Sequence, residues 1–208
     1  MIIFTNVRKS IDYKGFITQN VHPALVSDLY EFEMGIFFYW AVSHDLDFLG
    51  LDMLSLVPLA LIEECGHIES SHIFSIASVS EEFGEHVAVS GKSILKDIVA
   101  KADEALKSDS DLAADLRFAH DSGLLPTCQL LGIEGFPTYT IREAHANWNM
   151  AEHVPMCANL QMVFYKNKSG DVLVRIMLNE KPAVIPALTP VNEMYYYWND
   201  IRNHIMNL

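Results

Sequence analysis

The chain reads as an α/β fold, on three observations. Residues 116–119 form a short apolar run of strand type that passes straight into a helix. Residues 92–107 keep apolar positions at helical spacing. Residues 156–166 and 171–178 alternate as strands do and are joined by the turn-forming Asn167-Lys168-Ser169-Gly170. Strands and helices thus interleave, as in a sheet with helices packed on it.

Taken in order, residues 1–21 match no recognisable pattern. A helix is expected at about 22–40, then an Asp-rich connection, then a helix at about 60–75. A polar loop over 78–91, SVSEEFGEHVAVSG, leads to the helix of 92–107. In that helix Ile94, Leu95, Ile98, Val99, Ala102 and Leu106 share a face, while Lys96, Asp97, Lys101 and Asp103 point outward. After a polar exit, SDSD, comes the strand of 116–119. In the helix beyond it, Asp121 or Ser122 is the expected cap, Leu124, Leu125, Leu130 and Leu131 form the stripe, and Gly132 closes the end. A stretch containing Gly, Pro and His precedes the two alternating strands. The ending VNEMYYYWNDIRNHIMNL reads as a helix with an aromatic face, so Tyr195, Tyr196, Tyr197 and Trp198 are expected to pack on the sheet.

Composition limits the partners. Fourteen Lys and Arg against 27 Asp and Glu give a formal net charge of -13, which repels phosphates and nucleic acid unless a local basic pocket focuses the field. No dense basic cluster is present: Lys96 and Lys101 fall on a solvated helix face, and Lys166 and Lys168 fall at a turn. Half the residues are hydrophobic and only 20% are charged, a balance that suggests apolar surfaces covered by something else. The densest apolar stretches, 34–42 and 48–62, are interrupted by His44, Asp45, Asp47 and Asp52 before the roughly 20 apolar residues a membrane span needs. The first residues, MIIF, are too few for the roughly 7- to 15-residue apolar core of a signal peptide, so the compartment stays open.

Three cysteines, Cys65, Cys128 and Cys157, sit in apolar surroundings without metal spacing and read as reduced packing residues. His67 and His72 are five apart rather than four, and with Glu64 and Glu69 they do not make a metal pair on one helix face. Neither a metal nor another cofactor is expected. His145, Asn147, Trp148 and His153 lie before the first alternating strand and read as a loop with packing aromatics.

The most informative stretch is DLRFAHDSGLLPTCQLLGIE, residues 115–134. It sets His120 and Asp121 where a strand ends and a helix begins, the edge at which open α/β sheets bind ligands. Together with residues 91–114 it resembles the C-terminal half of the histidine acid phosphatases, especially the multiple inositol polyphosphate phosphatases and related phytases. That family has a strand of the form RFGHD followed by an LLP-type helix; here the residues are Arg117, Phe118, Ala119, His120, Asp121, Leu124, Leu125 and Pro126. Ala119 replaces the family's usual Gly and adds a methyl group where a phosphate would approach the backbone. Residues 154–178, VPMCANLQMVFYKNKSGDVLVRIML, resemble the family's PMASNLQ strand, hairpin and second strand. Residues 24–64 resemble its helical region loosely.

The resemblance implies a partial histidine-phosphatase-like sheet with the N-terminal nucleophile-bearing strand absent. It implies one incomplete domain over 1–208: residues 1–24 unplaced, 25–90 mainly helical, and 91–208 the C-terminal part of the phosphatase core. It also implies hydrolysis of a small phosphomonoester, with inositol polyphosphates as candidates, Asp121 as general acid and His120 as a phosphate contact. The family's other motif, Arg-His-Gly-x-Arg, supplies the nucleophile. None of the five arginines, Arg8, Arg117, Arg142, Arg175 and Arg202, is followed by His-Gly, and Gly66-His67 has the order reversed. Hydrolysing a phosphomonoester covalently requires an in-line nucleophile, cationic donors at the equatorial oxygens and an acid for the leaving alkoxide. Asp121 and His120 can provide the acid and one donor, so the expectation is half a site, completed by a missing N-terminal half or a partner chain. A non-catalytic pseudophosphatase or binding module, and an unrelated α/β protein in which His-Asp only caps a helix, are the alternatives.

Overall fold

The computed structural model describes residues 29–50, 55 and 57–208. It is a mixed structure of helices and one small antiparallel sheet, compatible with an α/β class. The chain divides into two compact units, residues 1–72 with 142–149, and residues 73–141 with 150–208.

In the first unit, helix α1 (Leu29–Ser43) is followed by a 3-10 turn, His44–Leu49, where the Asp-rich connection was expected. Ser43 closes α1 by donating its hydroxyl to the Trp40 carbonyl at 2.7 Å. Helix α2 (Leu59–Ala77) starts directly after Pro58, whose carbonyl accepts the Leu61 and Ile62 amides. Phe32 and Ile36 of α1 and Val57 pack on the buried Leu61 and Cys65 of α2. The expected helix start at about residue 22, and residues 51–54 of the second apolar stretch, lie outside the described residues.

In the second unit, helix α3 (Gly84–Ala105) is longer than expected, because the polar run from 84 to 91 is helical rather than loop. Its first turn follows a tight bend in which Ser80 Oγ accepts the Phe83 amide at 3.1 Å and the Ser80 carbonyl accepts the Gly84 amide at 2.9 Å. The bend starts the helix at Gly84, and Glu85 and His86 then stand exposed on its surface. The expected stripe is largely found: Leu95, Val99 and Ala102 are buried and Lys96, Asp97 and Lys101 face solvent, but Asp103, expected to point outward, is half-buried against Trp198 and Arg202.

Helix α4 (Asp121–Leu131) crosses α3 closely. A methyl group added at Gly91 would lie 2.6 Å from Leu130 Cδ1 and 3.2 Å from the Pro126 carbonyl group, so α3 carries no side chain there. Leu125, Cys128 and Leu131 fill the core. Pro126 lacks the N–H that would serve the Ser122 carbonyl, and Thr127 donates its hydroxyl to the Gly123 carbonyl at 2.7 Å in the same turn. Gly132, at φ +74, ends the helix: its amide donates to the Gln129 carbonyl at 3.0 Å and the Ile133 amide to the Cys128 carbonyl at 3.1 Å.

Short helices α5 (Ile141–Asn147) and α6 (Met150–His153) occupy the stretch read as loop. The sheet has β2 (Val172–Leu178) at its centre. Strand β1 (Leu160–Lys166) pairs antiparallel along one side of it, from Leu160 opposite Leu178 to Lys166 opposite Val172. On the other side β2 meets β3 (Lys181–Pro182) and β4 (Tyr195–Tyr197). The tyrosines expected in the last helix are thus the fourth strand, and helix α7 (Trp198–Met206) begins only after them. Strand type wins there because three tyrosines suit a pleated, half-buried surface and Leu173, Val174 and Arg175 offer a free ladder. The expectation that the aromatics pack on the sheet is met: Trp198 meets Phe164 edge-on at 5.1 Å, and Tyr195 meets Tyr165 at 5.6 Å. Asp103 of α3 holds α7 in place, accepting from Trp198 Nε1 at 3.0 Å and Arg202 Nε at 2.8 Å.

One strand is not where it was expected. Residues 112–120 form no regular secondary structure, and Leu116 and Phe118 are 79% and 96% exposed. A strand needs a neighbour to receive its main-chain groups. Both sides of β2 are taken by β1, β3 and β4, and among the described residues no strand lies beside 112–120. Cys157 is likewise exposed rather than packed, at φ 62 in a turn, whereas Cys65 and Cys128 are buried.

Candidate functional site

His120 and Asp121 stand at the first turn of α4, as their spacing predicts. His120 is the residue before the helix, extended at φ -80 and ψ 170, and its carbonyl accepts the Gly123 amide at 2.9 Å and the Leu124 amide at 3.2 Å. Its ring is exposed and makes no hydrogen bond among the described residues. Asp121 is half-buried, and its Oδ1 accepts the Ser122 amide at 2.7 Å. Neither side chain caps from the position before the helix. Instead the aspartate sits inside the first turn, where a negative charge is favoured by the helix dipole. The Ser122, Gly123 and Leu124 amides have acceptors, and among the described residues the Asp121 N–H next to the His120 ring has none.

The cation nearest in sequence is already engaged. Arg117 donates through Nε and Nη2 to Asp115, at 2.9 and 2.6 Å, and through Nη2 to Asp97 of α3 at 2.7 Å. Partial burial works against its charge, but the hydrogen bonds and charges of Asp115 and Asp97 outweigh that and raise its pKa. Arg117 therefore anchors the 112–120 segment to α3, engaging Nε and Nη2, two of its three guanidinium nitrogens. Lys101 pairs with Glu104 at 2.9 Å, and Lys166 donates to the Leu106 carbonyl at 2.6 Å.

Of the other residues singled out by sequence, His153 packs edge-on to Phe136 at 5.5 Å, and Trp148 is 4% exposed. Asn159, within the PMCANLQ run, clasps the β2–β3 turn: its amide nitrogen donates to Glu180 Oε1 at 2.7 Å, and its main chain exchanges bonds with Asn179. That polar residue is accounted for by structure.

One cluster was not legible. Ser71 of α2 and His145 of α5, 74 residues apart, meet at 2.6 Å between Oγ and Nδ1. Ser71 also donates to the His67 carbonyl at 2.9 Å. A serine has one hydroxyl proton, so when it serves His67 the imidazole carries its proton on Nδ1 and donates to Oγ. In that tautomer the nitrogen facing serine is no base, and Ser71 is 2% exposed. The pair has the composition of a nucleophilic dyad and the geometry of a structural joint.

Among the described residues no three or more His, Cys, Asp or Glu side chains gather as a metal site, and no helix is long and apolar enough to cross a membrane. A hollow of about 390 Å³ lies between α7 and residues 187–189, lined by Leu188, Thr189, Asp200, Asn203, His204 and Asn207, apart from His120 and Asp121. Compared with models of known protein families and with curated proteins, the chain matches none.

Proposed function

We propose that this chain contributes the acid half of a phosphomonoesterase site related to the histidine acid phosphatases, with His120 contacting the phosphate and Asp121 protonating the leaving alkoxide. The observation that carries the reading is the run Arg117-Phe118-Ala119-His120-Asp121 leading into Leu124-Leu125-Pro126, with the histidine ring exposed at the start of an 11-residue helix. A helix N-terminus favours a bound anion, and a histidine donor there adds to that field. The residue pattern of 154–178 supports the same family, and the likeness of 91–134 to its inositol polyphosphate branch supports those substrates.

The nucleophile and the arginine clamp come from a second polypeptide segment bearing Arg-His-Gly-x-Arg, since the 208 residues contain no Arg-His-Gly. The family's histidine-phosphatase sheet, with its nucleophile-bearing strand, is part of this proposal. A net charge of -13 fits a division of labour in which the cationic part of the site is supplied from elsewhere.

The test is turnover of p-nitrophenyl phosphate at mildly acidic pH. The purified chain stays at the blank, and a polypeptide carrying the Arg-His-Gly-x-Arg segment restores turnover. In the restored mixture Asp121→Asn lowers kcat by about 10²- to 10⁴-fold, and His120→Ala raises KM. Restored turnover that is indifferent to Asp121→Asn overturns the assignment, and so does turnover by the chain alone.

A further inference from the structure

Residues 113–119 carry seven consecutive peptide units with no backbone hydrogen bond among the described residues, and their apolar side chains are exposed while those of Asp115 and Arg117 are half-buried in their ion pairs. The pattern is nevertheless that of a two-faced strand. Ala114, Leu116 and Phe118 alternate with Asp115 and Arg117, and the latter two are joined to each other and, through Arg117, to Asp97 of α3. The charged side is thus tied to α3, while Leu116 and Phe118 are 79% and 96% exposed to solvent. A main chain with free amide and carbonyl groups and this alternation is a template on which a strand can form with another chain.

We propose that residues 113–119 pair antiparallel with the same residues of a second copy of this chain, about a two-fold axis at Leu116. Charge complementarity selects both the occupant and the register. Centred on Leu116, Asp115 of each copy lies opposite Arg117 of the other, Ala114 lies opposite Phe118, and Leu116 lies opposite its own counterpart. Opposite charges then meet on one face, flanked by Ala113 opposite Ala119, and the larger apolar residues pair on the other. Centring on Asp115 sets two carboxylates against each other, and centring on Arg117 sets two guanidinium groups together. A slip of one residue puts charged side chains opposite apolar ones. Arginine's five donors allow Arg117 to keep Asp97 and Asp115 of its own chain while meeting the second copy's carboxylate. The interface is isologous, so it closes at two copies rather than growing into a fibre. It stands independently of any action of His120 and Asp121 on phosphate.

Sedimentation of the full chain over a concentration series tests the proposal. The mass rises from 23.5 kDa toward twice that value. Leu116→Asp keeps the chain at the lower mass with unchanged circular dichroism, the side chain being exposed. Arg117→Asp weakens the dimer at least tenfold, and adding Asp115→Arg to it restores the dimer. Mild oxidation of Leu116→Cys in a Cys157→Ser background yields a disulfide-linked pair, since residues on the axis lie about 4.5–5.5 Å apart between Cα atoms. Asp115→Cys does not crosslink, because its counterpart is diagonal and out of reach. A chain that remains at 23.5 kDa throughout overturns the proposal, including one that gains a strand only from a different polypeptide. A dimer indifferent to Leu116→Asp, or crosslinked through Asp115→Cys rather than Leu116→Cys, overturns it equally.

Discussion

Ser71 Oγ and His145 Nδ1 are 2.6 Å apart, and this short bond joins helices that are distant in sequence. It bears on the tautomer of the ring, while burial and neighbouring charge act on its pKa. Burial, and then the neighbouring His67, lower the His145 pKa below the ordinary histidine value, and Glu64 opposes them only in part. Burial also lowers that of His72.

A pH dependence of stability follows. Well above about 6.5, the ordinary histidine value, the ring is neutral both folded and unfolded. As the pH falls below that value, the unfolded chain takes up the proton first. Stability present above the unfolded pKa is therefore lost on the way down to the lower folded pKa. His145→Gln keeps a donor for Ser71 but cannot titrate. Its melting temperature is expected to drop less than that of the wild type between about pH 7.5 and pH 5.5, the window a histidine covers. An equal drop in both proteins refutes the linkage to His145, because His72 remains in each.

The cysteines should divide by exposure. Burial pushes the Cys128 thiol up to about 12, so little thiolate forms at neutral pH, and Cys65 is buried as well. Ellman's reagent is expected to titrate one thiol, Cys157, in the folded chain and all three after denaturation. Fast reaction of two or more thiols in the native chain contradicts this packing.

Two glycines on helices should respond to alanine with opposite signs. Gly66 of α2 has nothing within 4 Å of an added methyl group, so Gly66→Ala is expected to stabilise by about 0.5–1 kcal/mol through helix propensity. Gly91 of α3 faces the Pro126 main chain at 3.2 Å as well as Leu130. Leu130 can turn aside and the proline backbone cannot, so Gly91→Ala is expected to destabilise by about 1–3 kcal/mol despite the same propensity gain. Denaturant midpoints of the two variants, on opposite sides of the wild type, are the check.

Asp103 is the third structural test. It accepts from both Trp198 Nε1 and Arg202 Nε, and Trp198 is 4% exposed. Asp103→Ala leaves the buried indole N–H without its acceptor, at an expected loss of about 1–3 kcal/mol. Asp103→Asn, which keeps an acceptor oxygen, is expected to lose less. Thermal melts of the two variants decide the order.

What could be read from sequence tracks how local the cause was. Helix α4 was legible because its leucine stripe, its acidic first turn and Gly132 all lie within a dozen residues. The β1–β2 hairpin was legible because alternation and a four-residue turn are local as well. The start of α3 was not, since it depends on the bend at Ser80 rather than on the polar residues after it. Strand β4 was hidden because YYYW fits a helix face as well as a strand, and only the free side of β2 decides between them. At the candidate site the place of His120 and Asp121 at a helix start was legible, but the strand and sheet edge expected just before them are absent among the described residues. The engagement of Arg117 by Asp97, twenty residues earlier, was not. Nor was the meeting of Ser71 with His145, for which no sequence signal exists.

Gln129 shows how narrow a choice one buried position can impose. Its amide oxygen accepts the Val79 N–H at 2.7 Å while its nitrogen donates to the Pro137 carbonyl at 3.1 Å, so one side chain joins two loops. Glutamate would present an acceptor to a carbonyl, lysine a donor to an N–H, and leucine would leave both main-chain groups unanswered. Asparagine has the right polarity and too short a reach. The position calls for a side chain of glutamine's reach that accepts at one end and donates at the other.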